Sequence, residues 1–267
     1  MQQSSRLSSS RSILTRRRFL LATLLCAPVL AVADAKCVEP EWIKVRRLRL
    51  NSKTPTHRVV HFTDVHHKGN RDYLLKVVDQ INALSPDFVC FTGDLIEEGK
   101  HLPEALELLG RIKSPLYGVP GNHDYWSKVP FAGIEKTFSA SGGAWLLDEI
   151  TVTADGQFSI TGAAFFTFKK QPLAIDPRRR NIFLMHYPAW IEKLAGQKID
   201  LVLAGHSHGG QVRLPFYGPV FVPFGVDRYD LGLFRTAAGP LYVNPGIGWF
   251  PLPIRFNCRP EITVFEM

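Results

Sequence analysis

Only four of the 267 residues are cysteine, and acid is the minority charge, 24 Asp+Glu against 32 Lys+Arg, for a formal net charge of +8. Cys26 lies inside an apolar stretch, which leaves Cys37, Cys90 and Cys258 far apart. That count and spacing exclude a disulfide framework and allow one bridge at most. No unbroken apolar run reaches the ~18–20 residues of a confident membrane span. Internal repeats and low-complexity linkers are missing as well. With 45% hydrophobic and 21% charged residues, disordered, collagen-like and coiled-coil chains are excluded. A chain of this length buries a substantial core, as one large domain or two small ones. The basic excess invites a nucleic-acid or membrane-surface role unless its position explains it.

Its position does. Residues 1–18 hold five arginines and no acid, and an apolar run follows from Phe19 to Ala33. That run is short for a span and fits the hydrophobic region of a signal peptide, with A-x-A cleavage sites at Ala31/Ala33 and Ala33/Ala35. Thr15-Arg16-Arg17-Arg18-Phe19-Leu20 resembles the twin-arginine export signal. The resemblance implies the twin-arginine machinery as a partner and export of the folded chain to the periplasm or cell envelope. An uncleaved signal would leave it anchored to the membrane. The expected division is a leader over 1–35 and one α/β domain over 36–267. Without the leader, 27 basic and 23 acidic residues leave a net +4, so no specific nucleic-acid binding is expected.

The remaining chain alternates strand and helix. Strands are expected at 59–62, 88–91, 116–119, 182–185, 201–203 and 262–265. Helices are expected at 71–84, where Leu74, Val78 and Ile81 keep 3.6-residue spacing, and at roughly 103–112. Hairpins are expected to join 150–152 to 158–161 and 233–236 to 241–243. Five apolar strands stop at residues that can bind metal, and in α/β sheets ligand sites gather at the carboxyl ends of strands.

The blocks run in order as Asp64-Val65-His66, Gly93-Asp94, Gly121-Asn122-His123-Asp124, a lone His186, and Gly205-His206-Ser207-His208. This series resembles the calcineurin-like metallophosphoesterases and covers roughly residues 58–250. The small bacterial branch with twin-arginine signals, including exported phosphodiesterases, is the nearest in kind. The resemblance implies a four-layer α/β/β/α sandwich with a dinuclear metal site at the strand ends. One metal would take Asp64, His66 and His208, the second Asn122, His186 and His206, with Asp94 bridging. His123 would face the substrate and protonate the leaving oxygen after attack by a metal-bridging hydroxide.

The donor types are consistent with this by themselves. Imidazole with carboxylate suits Mn, Fe or Zn better than Ca or Mg. Two divalent ions against the carboxylates of Asp64 and Asp94 leave about +2, or about +1 with a hydroxide, which suits a phosphoester. Glycines beside the ligands are expected to let backbone approach metal or phosphate. Asp124 is expected to anchor its loop, Glu97 and Glu98 to lie behind the ligands or in solvent, and Arg178–Arg180 in solvent, with contact to phosphate or anionic lipid, and so peripheral membrane contact, as the alternative. His57, His61, His67 and His101 belong to no motif and read as surface or strand residues; His67 is also placed to line the cleft. The aromatic stretches 215–225 and 248–256 are either edge strands on the core or an apolar lip for an acyl or aromatic group. Phosphodiester hydrolysis is the expected activity. A UDP-2,3-diacylglucosamine-type pyrophosphatase acting on a lipid-linked substrate is the first rival, opposed by the export signal. A non-catalytic metal-binding scaffold is the rival from another class, opposed by the presence of all eight assigned residues.

Overall fold

Val59 and Val60 are neighbours on one strand and both are wholly buried, although successive strand residues point to opposite faces. A sheet with both faces covered explains this, and it is why these strands read as continuous apolar runs. The computed structural model describes residues 16–50, 54–164 and 175–267. Its chain order is α1 (Arg16–Cys37), β1 (Lys44–Arg49), β2 (Arg58–Phe62), α2 (Arg71–Ala83), β3 (Phe88–Phe91), α3 (Leu102–Leu109) and β4 (Leu116–Gly118). Then come α4 (Asn122–Trp126), α5 (Ala132–Ala140), β5 (Ala144–Trp145), β6 (Glu149–Val152), β7 (Phe158–Gly162), β8 (Arg180–Leu184) and β9 (Leu201–Ala204). The hairpin strands β10 (Arg213–Leu214) and β11 (Gly218–Pro219) precede β12 (Gly232–Thr236), β13 (Gly239–Val243) and β14 (Glu261–Glu266).

Two six-stranded sheets form, in the orders β1-β14-β2-β3-β4-β5 and β12-β13-β9-β8-β7-β6. Strands β2 to β5 are mutually parallel, as are β7, β8, β9 and β13. Alternation sorts the side chains into three layers of core. Val59, Phe88, Cys90, Ile182, Leu184, Leu201 and Leu203 pack between the sheets. Val60, Phe62, Val89 and Phe91 face α2, α3 and α5. Phe183, Met185, Val202 and Ala204 face a helical turn at Pro188–Leu194 and the loop around Tyr229. The layer order is therefore the expected α/β/β/α, with a thin fourth layer among the described residues.

Helix α2 starts where the Asn70 side chain accepts the Tyr73 amide at 3.1 Å, a standard N-cap. Its buried stripe, Leu74, Val77, Val78 and Ile81, lies on the first sheet. The hairpin β6–β7 pairs antiparallel as expected, and so does β12–β13. All four cysteines are free thiols, so the one bridge that the sequence allowed does not form.

At the N-terminus the helix outlasts the apolar run. It continues past Ala33 to Cys37, making 22 residues and about 33 Å at 1.5 Å per residue. By length and composition it is able to cross a membrane, and Phe19, Leu24, Leu25, Val29 and Leu30 are exposed along it. Residues 1–15, including Thr15 of the export motif, lie outside the described residues.

Candidate functional site

Each motif block sits where a parallel strand stops. Asp64 and His66 follow β2, Asp94 follows β3, Asn122 and His123 open α4 behind β4, His186 follows β8, and His206 and His208 follow β9. The first sheet supplies five of these residues and the second supplies three, so the site spans the seam between the sheets. Asp64, His66, Asp94, His206 and His208 all have φ between 44° and 66°, a left-handed conformation uncommon outside glycine. Five such residues in one place mark a backbone held away from its local preference by its surroundings. Gly121 and Gly205 permit the crowding: a Cβ there would lie 2.1 Å from Asp94 Oδ1 and 2.4 Å from Asp64 Oδ2. At these two glycines the carboxylates of Asp94 and Asp64 come up against the backbone.

Two of the donor sets share no residue. Asp64, His66 and His208 offer atoms within 4.8 Å of one another, and so do Asp94, His186 and His206; a third group, His66, Asp94 and His123, overlaps both. His66 Nε2 is 3.0 Å from His208 Nε2, 3.5 Å from Asp94 Oδ2 and 3.9 Å from Asp64 Oδ1. His186 Nε2 is 3.2 Å from Asp94 Oδ2, 3.1 Å from Asn122 Oδ1 and 3.2 Å from His206 Nδ1. Asp94 Oδ2 therefore touches both sets. Imidazole nitrogens facing each other at such distances, with carboxylate oxygens beside them, suit a shared cation. The far nitrogens agree. His186 Nδ1 meets the Thr92 carbonyl at 2.7 Å, His206 Nε2 the Phe224 carbonyl at 2.8 Å, and His66 Nδ1 the Glu97 carboxylate. Each bond fixes a tautomer and aims the other nitrogen at the centre. The residues present fit a pair of divalent ions.

Electrostatics point the same way. Burial lowers His206 to about 3 and puts His208 well below its ordinary value, leaving both in the neutral, ligating form. Burial also acts on His186, but the Asp94 carboxylate outweighs it and lifts the imidazole to about 9. Positive charge is favoured at that spot. Asp94 shows the reverse: burial pushes it up, and the neighbouring histidines, His186 first, hold it well below the carboxylate range.

His123 lies at the rim of this cluster. Its amide donates to Asp94 Oδ1 at 2.8 Å, and its Nδ1 is 3.0 Å from Glu97 Oε1. Burial depresses its basicity, and the Glu97 bond more than restores it. Burial also raises Glu97, yet His123 and His66 together bring it down to about 2. One carboxylate thus serves both a ligand-set histidine and His123, which settles the open reading of Glu97. Asp124 accepts the amides of Asp94, Leu95 and Gly121 at 2.8 Å each and so ties α4 to the end of β3. His67 bonds Glu104 at 2.7 Å, outside the cleft. Arg178 and Arg179 pair with Asp176, and Arg180 lies over the Phe158 ring, so the basic triplet is not simply solvated.

A cavity of about 500 Å³ opens directly onto Asp94, Asn122, His123, His206 and His208. Its other walls are mostly apolar and come from both aromatic stretches, with Phe221 from one and Phe250, Leu252 and Ile254 from the other. The lip reading therefore describes them better than packed edge strands. Trp126, which also lines the cavity, and Tyr187, whose ring centroid lies 4.0 Å from that of His206, belong to no motif and carry no mark in the sequence pattern.

Residues 57–210 match the family model of the calcineurin-like phosphoesterases. The uncharacterized metallophosphoesterase YkuE of Bacillus subtilis is 30% identical over 288 residues, spanning 95% of this chain and 98% of its own. Phosphodiesterase YaeI of Escherichia coli is 29% identical, spanning 96% and 100%. The UDP-2,3-diacylglucosamine pyrophosphatase LpxG of Chlamydia trachomatis is 30% identical, spanning 92% and 95%. With the matched segment covering more than half of its length, the chain belongs to the calcineurin-like phosphoesterases, phosphoric ester hydrolases that work with two divalent metal ions.

Proposed function

We propose that this enzyme is a phosphodiesterase in which Asp64, His66 and His208 hold one ion, Asn122, His186 and His206 the other, and Asp94 both. Two ions so held supply Lewis acidity toward a phosphoryl oxygen and an acidified water as nucleophile. The protein's own residues do the rest. His123 Nδ1 is committed to Glu97, so a proton for the leaving oxygen comes from Nε2. Glu97 orients that ring and keeps it basic enough to carry the proton. Phe250, whose ring centroid lies 4.4 Å from that of His123, and Trp126, at 4.8 Å, cover the histidine and limit water around it.

The observation that carries the diester reading is the cavity wall. Among the described residues no lysine or arginine lines the cavity, so no cation of that wall faces the second negative charge of a monoester. A diester has one charge and two organic arms, and the apolar walls suit an arm. Purified full chain supplied with Mn²⁺ is expected to hydrolyse bis(p-nitrophenyl) phosphate at least tenfold faster than p-nitrophenyl phosphate. The opposite ranking would remove the diester reading.

A second reading rests on the same apolar walls. The name of LpxG specifies a diacylated sugar nucleotide, and a cavity of this size and lining suits an acyl chain. A lipid-linked phosphoester or pyrophosphate is accordingly the second substrate class. Faster turnover of an acylated sugar nucleotide than of the artificial diester would favour it.

The N-terminal segment fits a twin-arginine address that carries the folded, metal-loaded domain to the cell envelope, with residues 1–35 as leader and 36–267 as catalytic domain. Ala35 is buried, and its carbonyl accepts the Arg255 amide at 2.9 Å. A processing site held in a folded contact supports retention of the helix as an anchor. Mass analysis of the protein isolated from its native membrane distinguishes an intact chain from one beginning at Lys36, and metal analysis of the same sample identifies Mn, Fe or Zn.

A further inference from the structure

Residues 214–225, Leu-Pro-Phe-Tyr-Gly-Pro-Val-Phe-Val-Pro-Phe-Gly, contain no charged or amide side chain and only one hydroxyl, that of Tyr217. They form the end of β10, the turn, β11 and the stretch after it. Phe216 is fully exposed, Phe224 is 95% exposed and Tyr217 76% exposed. Soluble chains rarely leave contiguous apolar surface uncovered on this scale. We propose that this hairpin is a bilayer-docking element, which seats the cavity mouth on the lipid surface in which α1 is embedded. The proposal extends the apolar-cavity reading above by giving the route from which a substrate arm enters.

Three observations choose lipid over a protein partner. First, α1 is long enough to span hydrocarbon and its apolar side chains are exposed on all sides, which suits a bilayer and no single protein groove. Second, α1 is fastened to the loop that forms the cavity wall. Ala35 accepts the Arg255 amide, and Glu39 accepts the amides of Asn257 and Cys258. Pro215, in the hairpin turn, shares a groove with Asp34 near the end of α1 and with Trp42 five residues past that helix. Third, the turn that follows α1 leads into an interfacial pair: Trp42 is half exposed, with the Arg259 guanidinium 3.7 Å from its ring centroid. Aromatic and basic groups of this kind sit at the headgroup level. From that level the adjacent hairpin reaches into the acyl region.

The test uses the full chain in phosphatidylethanolamine–phosphatidylglycerol vesicles, with Cys26→Ser and Cys37→Ser removing the exposed thiols. A nitroxide attached through Phe216→Cys is expected to be more accessible to oxygen than to a nickel chelate. A nitroxide through Ala154→Cys, in the turn before β7 and so at the opposite end of the strands, is expected to show the reverse. Higher chelate accessibility at Phe216→Cys overturns the proposal. So does spin–spin broadening there without oxygen accessibility, which would mean self-association. In a kinetic arm, Phe216→Asp with Tyr217→Asp is expected to keep the wild-type rate on a soluble diester within twofold. The same variant is expected to lose tenfold or more on a diester carried by a vesicle lipid, and equal rates on both substrates count against docking. A wild type inactive on the soluble diester would remove the phosphodiesterase reading alone, because nitroxide accessibility still decides docking.

Discussion

His123 and His206 are both buried at the strand ends, yet the roles proposed for them separate cleanly. His206 Nδ1 points at the shared centre, whereas His123 Nδ1 is occupied by Glu97. His123→Ala is therefore expected to lower kcat by about 10²–10⁴-fold, the usual loss for a general acid, with two metals still bound. His206→Ala is expected to lose metal as well as rate, and metal analysis of the two purified variants checks the distinction. Glu97→Gln is expected to cost about 10–100-fold, the range for residues that orient a metal ligand. His61 makes a different prediction. It lies between the sheets, bonds Thr92 Oγ1 at 2.9 Å, and burial lowers it to about 3 from an ordinary 6.5. Between those values the unfolded chain binds the proton and the folded chain does not, so this contribution to stability shrinks as pH falls through that window. From pH 7 to 5.5, wild type is expected to lose about 1 kcal/mol more than His61→Gln in urea unfolding. Equal losses would contradict the assignment of His61 as a buried neutral imidazole.

At the scale of elements, the strand ends were readable because strands buried on both faces leave continuous apolar runs, and a polar residue closing each run stands out. The five blocks and the strands before them were visible for that reason. Other elements left no such trace. Strand β1 is Lys-Val-Arg-Arg-Leu-Arg and half exposed, an edge that carries charge instead of an apolar pattern. Helix α4 has five residues and β5 only two, too few for any periodicity to appear. The N-terminal helix was underestimated because Asp34 and Lys36 end the apolar run while the backbone continues to Cys37. Glu97 could be singled out only as an acid near a motif, since its two histidine partners are brought to it by folding. The turns into the site also carry a prediction. Gly121→Ala would drive a methyl into Asp94 and is expected to reduce metal content and activity together. Gly156→Ala, at a positive φ that Gly121 does not have but with nothing near its added carbon, is expected to leave both unchanged. Metal analysis and diester hydrolysis on the two variants separate site crowding from backbone strain.

Over the whole molecule, the fold brings the proposed ligands of a metal pair together across the seam between two sheets, with Asp64, His66, Asp94 and Asn122 on one side and His186, His206 and His208 on the other. Metal bound there links the sheets and favours the folded chain by mass action, by about 2.7 kcal/mol at a hundredfold excess over Kd. Chelation is expected to lower the melting temperature by several degrees, with recovery on adding Mn²⁺. The basic excess of the sequence also takes its place at this scale, because much of it lies in residues 1–35 and, among the described residues, no lysine or arginine lines the cavity. The charge that attracts a phosphoester is left to the metals. Titrating chelated full chain with Mn²⁺ while following bis(p-nitrophenyl) phosphate hydrolysis tests that claim most directly. Activity is predicted to be absent at the start and to saturate at two ions per chain. Saturation at one ion, or turnover by the chelated protein, would contradict it.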